Sequence, residues 1–122
     1  VLAVWEDRSG TNGKHVIQGS VSFDGGINWT TPVTLTDTTR TSRWVQLRYH
    51  DGVIHMIWID ILSGTRGPIM YRNSSDFGIT WSTPINITPT NSNSTRINMF
   101  VKESAIYVVA ASGGVNDREV LF

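Results

Sequence analysis

Residues 22–29 read SFDGGINW, and residues 74–81 read SSDFGITW. Both stretches match the pattern Ser-x-Asp-x-Gly-x-x-Trp, and their aspartates lie 52 positions apart. The same offset relates the segments that follow, which are TPVTLT at 31–36 and TPINIT at 83–88. Self-similarity at a fixed period of this size is the sequence signature of a repeat architecture. The sequence therefore predicts an array of similar units.

Each unit is built from short β-branched and aromatic runs that are separated by Gly, Asn, Asp and Thr. No stretch keeps an apolar period near 3.6, so no helix is predicted. The complete central unit, residues 43–88, divides into predicted strands at 44–49, 53–60, 68–74 and 83–88, with a tight hairpin turn at 50–52. Four antiparallel strands per unit are typical of a β-propeller blade. We expect an all-β fold made of such blades.

The units at the two ends of the chain are incomplete. Blade a (1–36) lacks its first strand, because residues 1–7 correspond to 53–60, and blade b (43–88) is complete. Blade c (95–122) shows predicted strands only at 97–102, 106–111 and 118–122. Roughly ten strands make an arc of about two and a half blades, whereas propellers close rings of about four to eight. We expect the arc to associate with the remaining blades of the same polypeptide or with further copies of the chain.

The repeated motif has a structural interpretation. Its Asp carboxylate can accept hydrogen bonds from N–H groups of its own loop, and its Gly can adopt a backbone angle that other residues resist. The Ser hydroxyl adds a local bond, and the Trp ring is expected to be buried over the turn. Each motif offers one acid only and differs from the EF-hand pattern, so we predict no calcium site. The predicted structural residues are Ser22, Asp24, Gly26, Trp29, Ser74, Asp76, Gly78 and Trp81.

The motif resembles the Asp-box, or bacterial neuraminidase repeat, and the segment VWED at 4–7 is similar to the second strand of such blades. The resemblance covers nearly the whole chain. It implies a sialidase-like β-propeller whose boxes lie between the third and fourth strands of each blade, on the rim away from the substrate face. Asp-boxes also occur in non-catalytic propellers, secreted glycosidases, lectins and surface proteins. The resemblance thus implies a fold more specifically than a function.

Composition argues against several classes of partner and cofactor. Ten basic and ten acidic residues give zero net charge without charged runs, so we predict no nucleic-acid partner and no membrane insertion. Cysteine is absent and the three histidines have no paired metal spacing, so we predict no cofactor and no metal. The start at Val1, already inside a strand, indicates a mature, processed or partial chain.

Four Asn-x-Ser/Thr sequons favour an extracellular or cell-surface location. Such triplets also arise by chance in a chain rich in Thr, Ser and Asn, so the alternative interpretation is that they carry no glycan. The candidate glycosylation sites are Asn28, Asn73, Asn86 and Asn93.

A candidate ligand face follows from strand direction. Strands alternate in direction, so the loops after second and fourth strands share the face opposite the boxes. The sialidase family binds its substrate carboxylate with arginines from several blades, and guanidinium groups make paired, charge-assisted bonds to carboxylates. In the alternative interpretation, the arginines pair with neighbouring acids and the tryptophans, Trp5 and Trp58 among them, pack between units. The ligand candidates are Arg43, Arg96, Asp7, Asp60 and Trp44.

No catalytic residue is predicted. The sialidase family uses a tyrosine nucleophile with a glutamate partner and a separate acid/base aspartate, but Tyr49, Tyr71 and Tyr107 all fall within predicted strands. The favoured interpretation is a non-catalytic propeller segment that serves as a scaffold for adhesion, assembly or glycan contact. The alternative is a fragment of a sialidase-like glycoside hydrolase whose catalytic residues lie outside this chain.

Overall fold

A computed structural model describes residues 1–62, 64, 66–89, 92–103, 105–112 and 118–121. The strands are β1 (Leu2–Asp7), β2 (Val16–Val21), β3 (Val33–Thr34), β4 (Thr41–His50), β5 (Val53–Ile61), β6 (Ile69–Ser74), β7 (Ile85–Asn86), β8 (Ser94–Lys102), β9 (Ala105–Ser112) and β10 (Arg118–Leu121). A three-residue 3-10 turn at Thr11–Gly13 accompanies them. The prediction of an all-β chain is confirmed.

The strands form three antiparallel sheets that follow one another along the chain. The first sheet has the order β1-β2-β3, the second β4-β5-β6-β7 and the third β10-β9-β8. Within each sheet, strands that are consecutive in sequence pair with each other. The turn between β4 and β5 has positive φ at both Asp51 and Gly52, as a type I′ hairpin requires. The four strands predicted for the central unit are therefore present.

Several predicted strand boundaries were wrong. β4 begins at Thr41 rather than 44 and contains an irregularity between Arg43 and Gln46. The strand predicted at 83–88 shrinks to the two residues of β7, since Pro84 has no N–H to donate and the Thr88 hydroxyl accepts the Ile69 N–H at 3.0 Å. Position 122, predicted to end the last strand, lies outside the described residues.

The 52-residue period is visible in the hydrogen bonds between elements. Thr36 repeats the role of Thr88, because its hydroxyl accepts the Ile17 N–H at 3.0 Å. The junctions repeat as well: the Ser42 N–H donates to the His15 carbonyl at 2.8 Å, and the Ser94 N–H donates to the Gly67 carbonyl at 3.2 Å. The start of each new sheet is thus tied to a loop of the preceding sheet in the same way.

Two apolar cores hold the sheets together, and β5 contributes to both. Successive side chains of a strand point to opposite faces. Met56 and Trp58 therefore pack with residues of the first sheet, whereas Ile57 and Ile59 pack with residues of the third. All four side chains are at most 2% exposed. The second sheet is consequently covered on both faces, which explains the nearly continuous apolar run of β5.

The outward faces of the first and third sheets remain partly open. Trp5 occupies the position on β1 that Trp58 occupies on β5, yet it is 37% exposed. On the third sheet, Phe100 is 48% exposed and stacks on Tyr107 with ring centroids 5.0 Å apart. Trp5 and Trp58 were both expected to pack between sheets, but of the two only Trp58 does so. Among the described residues, no helix has the length and apolar character needed to cross a membrane.

Candidate functional site

The two copies of the repeated motif, residues 22–29 and 74–81, are the first box and the second box. The first box forms a closed hydrogen-bond network around Ser22 and Asp24. The Ser22 hydroxyl donates to Asp24 Oδ1 at 2.9 Å and accepts the Gly26 N–H at 2.8 Å. The same carboxylate oxygen accepts the backbone N–H groups of Ile27 and Asn28 at 3.1 and 2.8 Å. Gly26 has a φ of 96°, which a side chain would strain. The box residues thus organise the turn that follows β2.

The second box repeats this network after β6. The Ser74 hydroxyl donates to Asp76 Oδ1 at 2.8 Å and accepts the Gly78 N–H at 2.8 Å. Asp76 Oδ1 also accepts the Thr80 N–H at 2.9 Å. The indole N–H of Trp81 donates to the Gly78 carbonyl at 3.0 Å, just as that of the first-box tryptophan donates to its own glycine carbonyl. The hydrogen bonds made by the Ser, Asp and Trp side chains of both motifs are therefore local.

These hydrogen bonds keep both box aspartates ionised. The backbone and side chain of Asn28, followed by Ser22, lower the pKa of Asp24 from 3.8 to about 2. The side chain and backbone of Thr80, followed by Ser74, lower the pKa of Asp76 to about 2 as well. A carboxylate with so low a pKa carries no proton to donate near neutral pH. The networks suit turn formation rather than acid catalysis.

The two box tryptophans are less buried than expected. Trp29 is 44% exposed, so the prediction of a buried ring was wrong for the first box. Trp81 is half-buried and packs against the core between the first and second sheets. The Arg72 guanidinium lies 5.8 Å from the Trp81 ring and donates to the carbonyl oxygens of Ser82 and Leu35. The second box is therefore linked to the first sheet, which accounts for the greater burial of Trp81.

We predict that the boxes lose their contribution to stability in acid. Because the folded-state pKa of Asp24 and Asp76 is below the ordinary value of 3.8, the stabilisation is complete above about pH 4 and is lost as the pH falls through about 2. The double variant Asp24→Asn/Asp76→Asn should show a flatter dependence of the unfolding midpoint on pH over this range. The control Asp51→Asn removes a carboxylate outside the boxes and should keep the wild-type slope. Equal slopes for the double variant and the wild type would contradict the assignment.

The ligand candidates lie at the end of the sheets opposite the boxes. Asp7 ends β1, whose first residue pairs with Val21 beside the first box. Asp60 pairs with Ser42 near the start of β4, while Ile54 pairs with Ser74 beside the second box. The candidates nevertheless divide into separate groups.

Arg43 and Trp44 are held by a carboxylate that the sequence had not singled out. Glu6 accepts the Arg43 Nε–H at 3.1 Å and the Trp44 backbone N–H at 2.6 Å. Arg43 also lies 5.2 Å from the centre of the Trp44 ring. Trp44 has a φ of 55° within the β4 irregularity, and its half-buried ring packs against the core between the second and third sheets. Glu6 thus fastens the first sheet to the second, and the Arg43 guanidinium already has an anionic partner.

Asp7 and Arg96 are exposed and have few contacts. Asp7 Oδ1 accepts the backbone N–H of Arg8 at 2.8 Å. Within the described part of the chain, no ion pair joins Arg96 to an acid, and the ion pairs present do not connect it with Arg43. A carboxylate clamp made of both arginines is not assembled by contacts within this chain.

Asp60 differs from the other candidates because it is buried. Its Oδ1 atom accepts the Ser42 hydroxyl at 2.8 Å and the Trp58 indole N–H at 2.7 Å. Arg40 Nη1 lies 3.7 Å from the second oxygen, Oδ2, and Arg40 Nε lies 3.8 Å from Asp37. Asp37, Arg40 and Asp60 line a cleft of about 550 Å³ between the segment 37–40 and the second sheet, together with Asn86. Sequence reasoning pointed to Asp60 but not to the cleft, which is formed by loops more than 20 residues apart.

Tyr71 is paired with a basic group. Its hydroxyl lies 2.9 Å from His55 Nδ1 and accepts the Asn73 amide N–H at 3.1 Å. Burial, and secondarily the charge of His50, lowers the pKa of His55. A neutral His55 ring can accept the Tyr71 proton, but this arrangement contains no glutamate. Among the described residues, no group of three potential metal ligands is present.

The four sequons occupy different environments. Asn28 donates its side-chain N–H to Asp24 Oδ2 at 2.7 Å, and the half-buried Asn73 donates to Tyr71. Asn86 and Asn93 are exposed. The side-chain nitrogen of Asn86 makes no hydrogen bond with any described residue, whereas its oxygen accepts two bonds from Thr88. Asn93 would therefore carry a glycan with the least disturbance, whereas Asn86 lines the Asp60 cleft.

Comparison with known proteins identifies no relative: no family model, no curated protein and no solved structure matches the chain.

Proposed function

We propose that the three sheets are successive blades of an Asp-box β-propeller, and that the chain is a non-catalytic scaffold for adhesion, assembly or glycan contact. The support for the propeller is the repetition of sheet, box turn and junction at a 52-residue period. The side-chain hydrogen bonds within the boxes are local and their carboxylates stay ionised, which suits a scaffold. The exposed sequon at Asn93 supports an extracellular or cell-surface location.

The contrast between Trp5 and Trp58 carries the assembly part of the proposal. The two residues occupy equivalent positions, yet Trp58 is 2% exposed beneath the first sheet and Trp5 is 37% exposed. A further sheet stacked on the first would cover Trp5 as the first sheet covers Trp58. Burial of apolar surface favours such stacking by about 25 cal/mol per Å².

The opposite end of the stack has a matching open face. Val109 is 39% exposed, whereas Ile57, its equivalent 52 positions earlier, is 0% exposed. Phe100 extends this face. The two open faces are of opposite type, since one is the leading and the other the trailing face of a blade. A head-to-tail arrangement of further sheets or further copies would bury both, and it closes a ring when the rotation between sheets permits.

We predict that the isolated 122-residue chain self-associates in solution. Trp5→Ser should weaken this association, because it removes the largest apolar side chain of the open first-sheet face. The matched control Trp29→Ser also removes an exposed tryptophan, but from a box turn, and should leave association unchanged. Sedimentation velocity over a range of concentrations measures both effects. A folded chain that stays monomeric at every concentration would contradict the assembly proposal.

A further inference from the structure

The cleft between the segment 37–40 and the second sheet is lined by the carboxylate of Asp60, whose side chain is largely buried. The Asp60 side chain is 6% exposed. Its Oδ1 atom is satisfied by Ser42 and Trp58, but Oδ2 accepts no hydrogen bond from any described residue. Its nearest cation, Arg40 Nη1, is 3.7 Å away, which is beyond hydrogen-bond length. Oδ2 therefore has acceptor capacity that no described protein group uses.

Arg40 does not use this acceptor capacity in the present geometry. Its side chain is 51% exposed and is shared between two acids, with separations of 3.7 Å from Asp60 and 3.8 Å from Asp37. Exposed pairs at such distances contribute little stability. Asp37 Oδ1 is already occupied, because it accepts the backbone N–H and the hydroxyl of Thr39 at 2.8 and 2.7 Å. Asp60 Oδ2 therefore remains open to a donor that enters the cleft.

The remaining walls of the cleft combine apolar surface with one free amide. Its volume of about 550 Å³ lies in the range of small-molecule sites. Asn86 lines the cleft, and its side-chain nitrogen donates to no described residue. The apolar lining residues are Trp58, Leu62, Pro68, Met70 and Pro84.

From this geometry we infer that the cleft binds a neutral saccharide, with one sugar hydroxyl donating to Asp60 Oδ2. A second hydroxyl oxygen accepts from Arg40 or from the Asn86 amide, and the aliphatic face of the ring lies against the proline and methionine side chains. Sugar hydroxyls suit this site because each is both donor and acceptor. A hydroxyl bound to a carboxylate makes a charge-assisted bond, which is stronger than a neutral one.

The charges around the cleft select against other ligands. Asp37 and Asp60 outnumber Arg40, so the site repels an acidic sugar, whose carboxylate would sit beside two others. An ammonium ion is attracted by the net negative charge of the cleft. It makes no favourable contact with the apolar walls, however, and it cannot accept a hydrogen bond from Asn86. Of these three ligand classes, only a neutral sugar can interact favourably with the Asp60 carboxylate, with the hydrogen-bond donors and with the apolar walls.

This inference rests on the glycan-contact part of the proposed function and not on the propeller. Both walls of the cleft belong to this chain, so the site does not require further sheets. Association of the chain and sugar binding are measured separately, and either result can fail without the other.

The test uses the indole N–H of Trp58 as a reporter, because it donates to Asp60 Oδ1 at 2.7 Å. The ¹⁵N-labelled 122-residue chain is titrated with methyl β-galactoside and methyl β-N-acetylglucosaminide, and in parallel with N-acetylneuraminate and methylammonium chloride. At least one neutral glycoside is expected to shift the Trp58 indole signal saturably. Failure of both neutral glycosides to do so, or a saturable shift with methylammonium or N-acetylneuraminate alone, would overturn the inference.

Asp60→Asn separates the binding role from the structural role. The asparagine oxygen can still accept from Ser42 and Trp58, while its amide replaces the free Oδ2 atom. Affinity for the active glycoside should fall about 10- to 100-fold, the range for loss of a hydrogen bond to a charged group. The control is Asp51→Asn, which removes an exposed carboxylate outside the cleft and should bind like the wild type. A folded Asp60→Asn variant with unchanged affinity would overturn the assignment.

Discussion

Replacement of Trp58 by alanine is expected to destabilise the chain by about 3–5 kcal/mol, the range for removing a buried aromatic ring. Trp58 is 2% exposed and packs between the first and second sheets with Ile17, Leu35 and Met56. Its loss would leave a cavity in this core. It would also remove the indole donor to Asp60 Oδ1. Urea denaturation followed by far-ultraviolet circular dichroism measures the change without depending on tryptophan fluorescence.

The control for this prediction is Trp5→Ala at the equivalent position of β1. Trp5 is 37% exposed, so its truncation should cost less than half as much as that of Trp58. The conservative variant Trp58→Phe retains most of the packing and provides a folded species if the alanine variant does not fold. Equal costs for Trp5→Ala and Trp58→Ala would mean that the first sheet does not cover Trp58 in solution.

The box turns could be predicted in detail because their contacts are local. Every hydrogen-bond partner of the Ser74 hydroxyl and of the Asp76 carboxylate lies within four residues of them. The motif therefore contains nearly all the information that its turn needs. The hairpin at Asp51 and Gly52 was predictable for the same reason. Burial of the tryptophans was less predictable, since Trp29 and Trp81 share a motif and differ in what packs above them.

The cleft and the inter-sheet contacts depend on distant residues. Glu6 meets Arg43 and Trp44 across about 37 positions, and no spacing rule connects them. Asp60 was predicted to lie on the ligand face because it ends the second strand of its unit. The burial of Asp60 and its hydrogen bond with the Ser42 hydroxyl depend on the pairing of β4 with β5. Arg43 and Arg96 lie in different sheets, on β4 and β8 respectively.

Replacement of Gly67 by alanine is expected to be among the most disruptive single changes, with a cost of about 3 kcal/mol or more. A Cβ atom at this position would overlap the carbonyl oxygen of Asp60 and lie 2.7 Å from its carbonyl carbon. Backbone atoms cannot rotate away as a flexible side chain can, so the strands themselves must shift. The Gly67 backbone also exchanges hydrogen bonds with Ser94, at 3.3 and 3.2 Å, where the second sheet meets the third.

His15→Ala is the matched control, because His15 holds the equivalent junction between the first and second sheets. Its carbonyl accepts the Ser42 N–H at 2.8 Å, and a residue with a Cβ is already accommodated there. The His15 variant should therefore stay close to wild-type stability in urea denaturation while Gly67→Ala unfolds at much lower urea. If Gly67→Ala is instead as stable as His15→Ala, the close approach of Gly67 to the end of β5 is not present in solution. The second and third sheets would then be joined mainly by the apolar core around Ile57 and Met99 rather than by this junction.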